Sequence, residues 1–223
     1  MDQHPIRLRA AEPTHEEGLH FARYLDQAAE GFFRFLLGRR VAEIVAEAYI
    51  EPGHDLSYKN ATFAVRDGAI VGMATSFTAE QRRQFSDEPL TNAVGSWALR
   101  YYVLGTIGAP LWRVLDTVAE GDSYLLAIAV DAALRGEGVG SILIDATEEK
   151  ARAAGSQRLA LDVSAKNTGG RRLYERRGMT VESGWPSSRF FRPILLRMTQ
   201  DLGTASATFT PRGADVMRRP TGR

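Results

Sequence analysis

Ala127-Ile128-Ala129-Val130-Asp131-Ala132-Ala133-Leu134-Arg135-Gly136-Glu137-Gly138-Val139-Gly140-Ser141 is the stretch that decides how this chain folds. The nearly continuous apolar run over 124–130 predicts a strand covered on both faces. Glycines at 136, 138 and 140 then make a turn, and apolar spacing over 139–153 ahead of Gly155 predicts a helix. Strand, glycine turn and helix in that order form an anion site. Glycine lets backbone approach an anion closely, the free N–H groups of the first helical turn point at it, and the helix dipole favours its charge. Arg135 adds a cation at the mouth. On the glycines alone, a tight helix entry with no ligand is an equal reading.

Spacing narrows the choice. A Walker loop needs Gly-x-x-x-x-Gly-Lys-Ser/Thr, and no Gly-Lys pair occurs in the chain. A dinucleotide fold needs Gly-x-Gly-x-x-Gly, whereas the pattern here is Gly136-x-Gly138-x-Gly140. Asp162 stands at a suitable distance for a ribose-binding acid, but the glycine spacing fails.

Upstream, residues 6–10 alternate apolar and polar as a strand does. Thr14 with Glu17 predicts a capping-box helix start, followed by Leu19, Ala22, Leu25 and Ala29 at helical spacing. Phe32, Phe33 and Phe35 read as core. A second helix is predicted over 40–49, stopped by Pro52-Gly53. Residues 62–66 and 69–77 flank Asp67-Gly68, the clearest hairpin signal in the chain. The segment 78–121 has helical character and reads as an insertion between the third and fourth strands. Downstream, 158–164 is predicted as strand, 170–177 as a short helix, and 179–182 and 192–198 as strands. Residues 203–223 lose periodicity and turn to Gly, Thr, Ala, Pro and Arg, the composition of a disordered tail. This order predicts one α/β domain over 1–202, a mixed central β-sheet with helices on both faces.

The 223 residues are 44% hydrophobic and 25% charged, enough to bury a core without disulfides or structural metal. Without cysteine there is no thiolate nucleophile, disulfide framework or Cys-ligated metal. His4, His15, His20 and His54 lack ligand spacing and read as surface residues, so no metal is expected. A formal net charge of +1 without a basic stripe argues against a nucleic-acid partner. The first residues have no apolar core for a signal peptide, and no apolar run reaches the ~18 residues of a membrane span. A cytoplasmic protein is expected.

Arg135-Gly136-Glu137-Gly138-Val139-Gly140 resembles the Arg/Gln-x-x-Gly-x-Gly/Ala signature of the GNAT family of N-acetyltransferases. Ala129-Val130 matches that family's approach strand, and Ala132 replaces the proline that commonly follows it. The likeness continues through Leu161-Asp162-Val163, Asn167, Leu173-Tyr174 and Gly178-Met179, where members often read Leu-Glu-Val, Asn, Leu-Tyr and Gly-Phe. The resemblance implies a fold in which the strand before the cradle and the strand after its helix splay apart. It also implies acetyl transfer from acetyl-CoA directly to a primary amine without an acyl-enzyme, which suits a chain with no cysteine. Arg135, Gly136, Glu137, Gly138, Val139, Gly140 and Ser141 would then cradle the pyrophosphate of acetyl-CoA. Backbone of Ile128, Ala129 and Val130 would line the pantetheine arm, and Asn167 would contact the cofactor backbone.

By the same resemblance Tyr174 is the general acid for the departing thiolate, since a phenol with a reference pKa near ~10 is protonated at neutral pH. On its own, a tyrosine beside a leucine on an amphipathic helix is core packing. Strand alternation puts Asp162 with Ala160 and Ser164, opposite Leu159, Leu161 and Val163. A carboxylate within a buried strand needs a partner or a job. Asp162 either coincides with the base of ribosomal-protein N-terminal acetyltransferases, which look like this chain in their second half, or satisfies local backbone or an arginine. Glu120, Asp122 and a water relay are the alternatives for the base. The alternative for Asn167 is a simple strand-end turn residue.

The acceptor is expected to be a small-molecule amine or an amino-acid-like compound. A protein N-terminus and a non-catalytic acyl-CoA-binding role are the alternatives. Trp97, Tyr101, Tyr102 and Trp112 serve as core, as a homodimer contact or as an amine-accommodating wall.

Overall fold

In the computed structural model, which describes residues 5–95, 117–187 and 190–203, the sheet grows from the Asp67-Gly68 turn. Asp67 (φ 53°) and Gly68 (φ 80°) supply the two positive-φ positions of a tight hairpin, so β2 (Ala61–Arg66) and β3 (Ala69–Thr78) pair antiparallel around them. On the outer edge of β2 lies β1 (Arg7–Ala10), and β4 (Asp122–Val130) lies on the far side of β3. Then β4 meets β5 (Arg158–Ser164) in parallel. Beyond β5 come β7 (Leu195–Asp201) and, on the edge, β6 (Thr180–Trp185), both antiparallel to their neighbours. The resulting sheet has seven strands in the order β1-β2-β3-β4-β5-β7-β6.

Helices cover both faces. On one face, α1 (His15–Ala28) and α3 (Val41–Tyr49) bury Phe21, Leu25, Ile44 and Val45 against Phe63, Met73, Ala127 and Ala129. On the other, α6 (Val139–Ala153) buries Val139, Leu143 and Ile144 against Val71, Ala74, Leu125 and Leu161. The remaining helices are α2 (Phe32–Leu37), α4 (Ala79–Gln84), α5 (Glu88–Val94) and α7 (Thr168–Arg176). Both α4 and α5 fall within the expected insertion. Its aromatic residues Trp97, Tyr101, Tyr102 and Trp112 lie outside the described residues, as does the expected tail from residue 204 onward.

Several local expectations need correction. Thr14 Oγ1 does cap α1, accepting from Glu17 N–H at 3.3 Å, but Glu17 does not close the box. Its carboxylate instead accepts from Glu12 N–H (2.7 Å) and Tyr49 Oη (3.3 Å) and pairs with Arg9 (2.7 Å). The complete capping box occurs at Thr78 and Gln81, which begin α4. Phe35, expected in the core, is 63% exposed, because a six-residue helix cannot turn three neighbouring phenylalanines to one side. His54 is buried rather than superficial, with Nε2 2.8 Å from Ala48 O.

Candidate active site

The central feature is a fork in the sheet. β4 and β5 share rungs only at Asp122↔Arg158, Ser123↔Leu159 and Tyr124↔Ala160. Past these, β4 stays on β3 up to Val130 and β5 stays on β7 up to Ser164, so a gap opens between the two parallel strands. A bulge in β4 accompanies the divergence. Thr75 pairs with Ala127 and Ser76 with Leu125, so Leu126 has no partner on β3.

Register determines which β4 groups face the gap. Asp131 N–H bonds Val71 O at 2.9 Å, making that rung a hydrogen-bonded one. The rungs Gly72↔Val130 and Ala74↔Ile128 are then of the other kind, with their N–H and C=O directed away from β3 and into the fork. Val130 O accepts from Gln27 Nε2 of α1 at 3.0 Å. Ala129, on the alternate rung, points its backbone at β3.

At the open end of the fork stands the glycine turn. A 3-10 turn over Ala132–Leu134 leads into Gly136 (φ 86°) and Gly138 (φ 87°), both in the left-handed region that glycine enters without penalty. No atom lies within 4 Å of where a Cβ would sit on either residue, so this concave face is backbone alone. Gly138 is the N-cap of α6, and it brings no side-chain cap. The helix also lacks an acidic residue in its first turn. Thr14 caps α1, Thr78 caps α4 and Asn167 caps α7, whereas the shorter α2, α3 and α5 have no side-chain cap either. The first intrahelical bond of α6 is Ile142 N–H to Gly138 O (3.1 Å), which leaves Val139, Gly140 and Ser141 N–H without helical acceptors. A 15-residue helix with an uncapped, backbone-lined N-terminus suits an external anion such as a pyrophosphate.

The side chains of the turn take different parts. Arg135 is exposed and has no ion-pair partner among the described residues. Glu137 pairs with Arg66 at the end of β2 (2.8 Å), so only its backbone is available to a ligand. Gly140 has an ordinary φ, and a Cβ there would meet Leu173 Cδ2 of α7 at 3.4 Å, an ordinary contact.

Beyond the fork, Asn167 Oδ1 accepts from Gly170 N–H at 2.8 Å and caps α7. The strand-end reading of this residue thus has a definite structural content. Tyr174, on the same helix, is 8% exposed and packs in the cluster of Val139, Leu143, Leu161 and Val163. Its hydroxyl has no hydrogen-bond partner among the described residues, and burial pushes the phenol up to about 12. Gly178, at φ 84°, ends this segment, with Met179 N–H returning to Tyr174 O at 3.0 Å.

Asp162 lies where strand alternation puts it, but its carboxylate is already engaged. Arg197 of β7 donates Nε to Oδ1 (3.1 Å) and Nη2 to Oδ2 (2.6 Å), and Tyr124 Oη donates to Oδ2 (2.9 Å). The side chain is 2% exposed. An oxygen pair bound by a bidentate guanidinium and a phenol is a poor acceptor for a substrate proton, so the arginine-partner reading describes this geometry better than the base reading. Among the other acids, Asp122 is buried in a bidentate pair with Arg158 (3.1 and 2.8 Å), and Glu120 is exposed. Tyr124 and Arg197 went unmarked in the sequence because their partner sits on another strand.

A cleft of about 700 Å³ adjoins the end of β4 on the α1 face, lined in part by Arg23, Gln27, Glu30 and Phe35. Arg23 there pairs with Asp131 at 3.0 Å, and Tyr24 Oη donates to the same carboxylate oxygen at 3.0 Å. No group of residues able to hold a metal ion occurs among the described residues, and no helix among them is long and apolar enough to cross a membrane.

The model of the acetyltransferase (GNAT) family matches residues 40–179, more than half of the chain. The chain belongs to the GNAT acetyltransferase family. Solved structures agree at the level of fold. A crystal structure of an acetyltransferase superposes with a TM-score of 0.61 at 24% identity, covering 88% of this chain and 100% of that one. An N-acetyltransferase from Staphylococcus aureus Mu50 gives 0.60 at 13% identity, over 87% and 100%. Ard1 from Thermoplasma volcanium gives 0.52 at 15%, over 88% and 97%. Among proteins of curated function none matches the chain in sequence. The matched residues include both strands of the fork and α6.

Proposed function

We propose that this protein moves an acetyl group from acetyl-CoA to a primary amine of a small-molecule or amino-acid-like acceptor. The observation that carries the reading is the continuity of one backbone surface. The outward N–H and C=O groups of Ile128 and Val130 line the fork, and the uncapped α6 N-terminus follows at its open end. An elongated thioester ending in a pyrophosphate matches both. Arg135 to Ser141 receive the pyrophosphate, and the cleft on the α1 face is the acceptor's approach.

In the transfer, the neutral amine attacks the thioester carbonyl. The new C–N bond forms as the C–S bond breaks, the surplus amine proton leaves through water, and the thiolate gains a hydrogen-bond donor in Tyr174. A phenol held near 12 cannot give its proton fully to a thiolate whose conjugate acid lies near ~8.5, a transfer uphill by several kcal/mol. Its contribution is then a hydrogen bond to sulfur as charge develops, the final proton coming from solvent. With Asp162 bound to Arg197, the water relay is the better reading for the base. A cytoplasmic location fits the cysteine-free composition.

Thermal shift tests the donor and an amine panel tests the acceptor. Acetyl-CoA at ~100 times its Kd should stabilise the fold by about 2.7 kcal/mol, and NAD should not. Thiol release from acetyl-CoA across a panel of amines and short peptides then identifies the acceptor. No stabilisation by acetyl-CoA sinks the reading. Binding without turnover across the panel, unchanged by Tyr174→Phe, favours the non-catalytic alternative.

A further inference from the structure

One buried network ties down the fork where it closes. Tyr124 is the last β4 residue on a rung with β5, opposite Ala160. Its hydroxyl does not stay on that rung. It reaches Asp162 Oδ2 at 2.9 Å, on the part of β5 that has already left β4. Asp162 is in turn gripped by Arg197 of β7, whose guanidinium carbon stands 5.7 Å from the Tyr124 ring centroid. Arg197 Nη1 also donates to Thr117 O, in the chain leading into β4. Strands β4, β5 and β7 are thereby locked together at the closed end of the gap, where Phe77 and Ala160 pack on Tyr124.

Stability alone does not explain this arrangement. Desolvating an ion pair costs about as much as its attraction returns, so apolar side chains of equal volume would hold the strands as well. Phenylalanine at 124 would fill the same space beside Phe77. What the hydroxyl adds is direction: it fixes the distance from β4 to a carboxylate that is itself immobilised. Burial and the adjacent Asp162 charge raise the Tyr124 phenol well above its ordinary range, so it remains a donor wherever the protein is folded.

We propose that Tyr124, held by Asp162 and Arg197, is a positioning residue that sets how far β4 and β5 part and so limits the acyl group admitted at the closed end of the fork to a short one. The proposal rests on the reading of the fork as the pantetheine slot.

Isothermal titration with acetyl-CoA and butyryl-CoA tests it without knowledge of the acceptor. The wild-type chain should bind acetyl-CoA at least about tenfold more tightly than butyryl-CoA, and Tyr124→Phe should bring the two within about twofold of each other. Arg197→Lys keeps the charge but loses the bidentate grip and should shift the ratio in the same direction. It also stands in as the test if Tyr124→Phe does not fold. Ile44→Val, a buried change on α3 away from this network, controls for general loss of stability and should leave the ratio as in wild type. A ratio unchanged in the folded fork variants overturns the positioning role, as does a wild-type chain that binds both thioesters equally. Failure of wild type to bind acetyl-CoA overturns the donor reading and this proposal together, so the two failures are told apart.

Discussion

Arg66, the last residue of β2, holds Glu137 at 2.8 Å and so ties the β2–β3 hairpin to the glycine turn. The pair is partly exposed, so it contributes little stability, about 0–1 kcal/mol. Its importance is electrostatic, because the carboxylate stands next to where a pyrophosphate would lie. Arg66→Gln frees that charge and should raise the Kd of acetyl-CoA severalfold. Glu137→Gln frees the guanidinium instead and should leave the Kd unchanged or lower it. Titrations at low and high salt check the sign, and the Arg66→Gln penalty should shrink in ~1 M salt, where screening acts over ~3 Å.

The glycines of the turn are not equivalent. Gly138→Ala forces a side chain to φ 87°, at a cost of roughly 1–2 kcal/mol, and sets a methyl on the open face meant for the anion. Acetyl-CoA affinity should fall at least about tenfold. Gly140→Ala meets only Leu173 Cδ2 at 3.4 Å and Val130 Cγ2 at 3.9 Å, with an ordinary φ. It should stay within about 1 kcal/mol of wild type and keep its affinity within about threefold. Thermal melts and titrations of the two variants make the comparison.

Tyr174→Phe should lower kcat by roughly 10- to 100-fold, toward the low end for a proton-donating side chain, while the Kd of acetyl-CoA changes less than about twofold. Stability carries a second signature. Burial raises the phenol to about 12, so the native state keeps a proton that the unfolded chain releases near ~10. The contribution is fully present below pH ~10 and is lost as pH rises from there through about 12. Urea denaturation of wild type against the phenylalanine variant over that window isolates it.

Lys150 on α6 donates Nζ to Asn60 O (3.2 Å) and Ser76 O (3.0 Å), clipping the helix to the strand opposite the β4 bulge. Burial lowers its ammonium below the usual 10.5. Lys150→Met removes a buried charge but strands two carbonyls, and since charged bonds are worth ~1.5–3 kcal/mol each, the loss wins: about 1–3 kcal/mol less stable at pH 7. A depressed folded pKa means that the unfolded chain binds the extra proton, so wild-type stability climbs as pH rises toward 10.5. The cost of the substitution should therefore be larger at pH 10 than at pH 7 in urea titrations.

Local chemistry was readable along the chain. The helix expected over 139–153 and the strand expected over 158–164 form at those residues, because glycine turns and unbroken apolar spacing bound them. The Asp67-Gly68 hairpin and the closing role of Gly178 follow from backbone preferences equally local. Side-chain partnership was not readable. Glu17 had the right spacing for a capping box, yet Arg9 on β1 and Tyr49 on α3 compete for its carboxylate across the tertiary structure. Asp162 announced a need for a partner, but the choice of Arg197 depends on β7 returning beside β5, which no periodicity encodes. Phe35 misled because an apolar residue on a short helix is as compatible with a cleft wall as with a core.

The sheet can also be seen as two antiparallel plates, β1 to β4 and β5 with β7 and β6, riveted along three rungs. The slot proposed for the donor is thus the seam with the fewest rungs in the sheet, held at its closed end by Tyr124, Asp162 and Arg197. A thioester lying across that seam would splint one plate to the other. Amide exchange in β4 and β5 should slow together on binding, so that occupancy at a surface slot is felt as stiffness through the whole sheet.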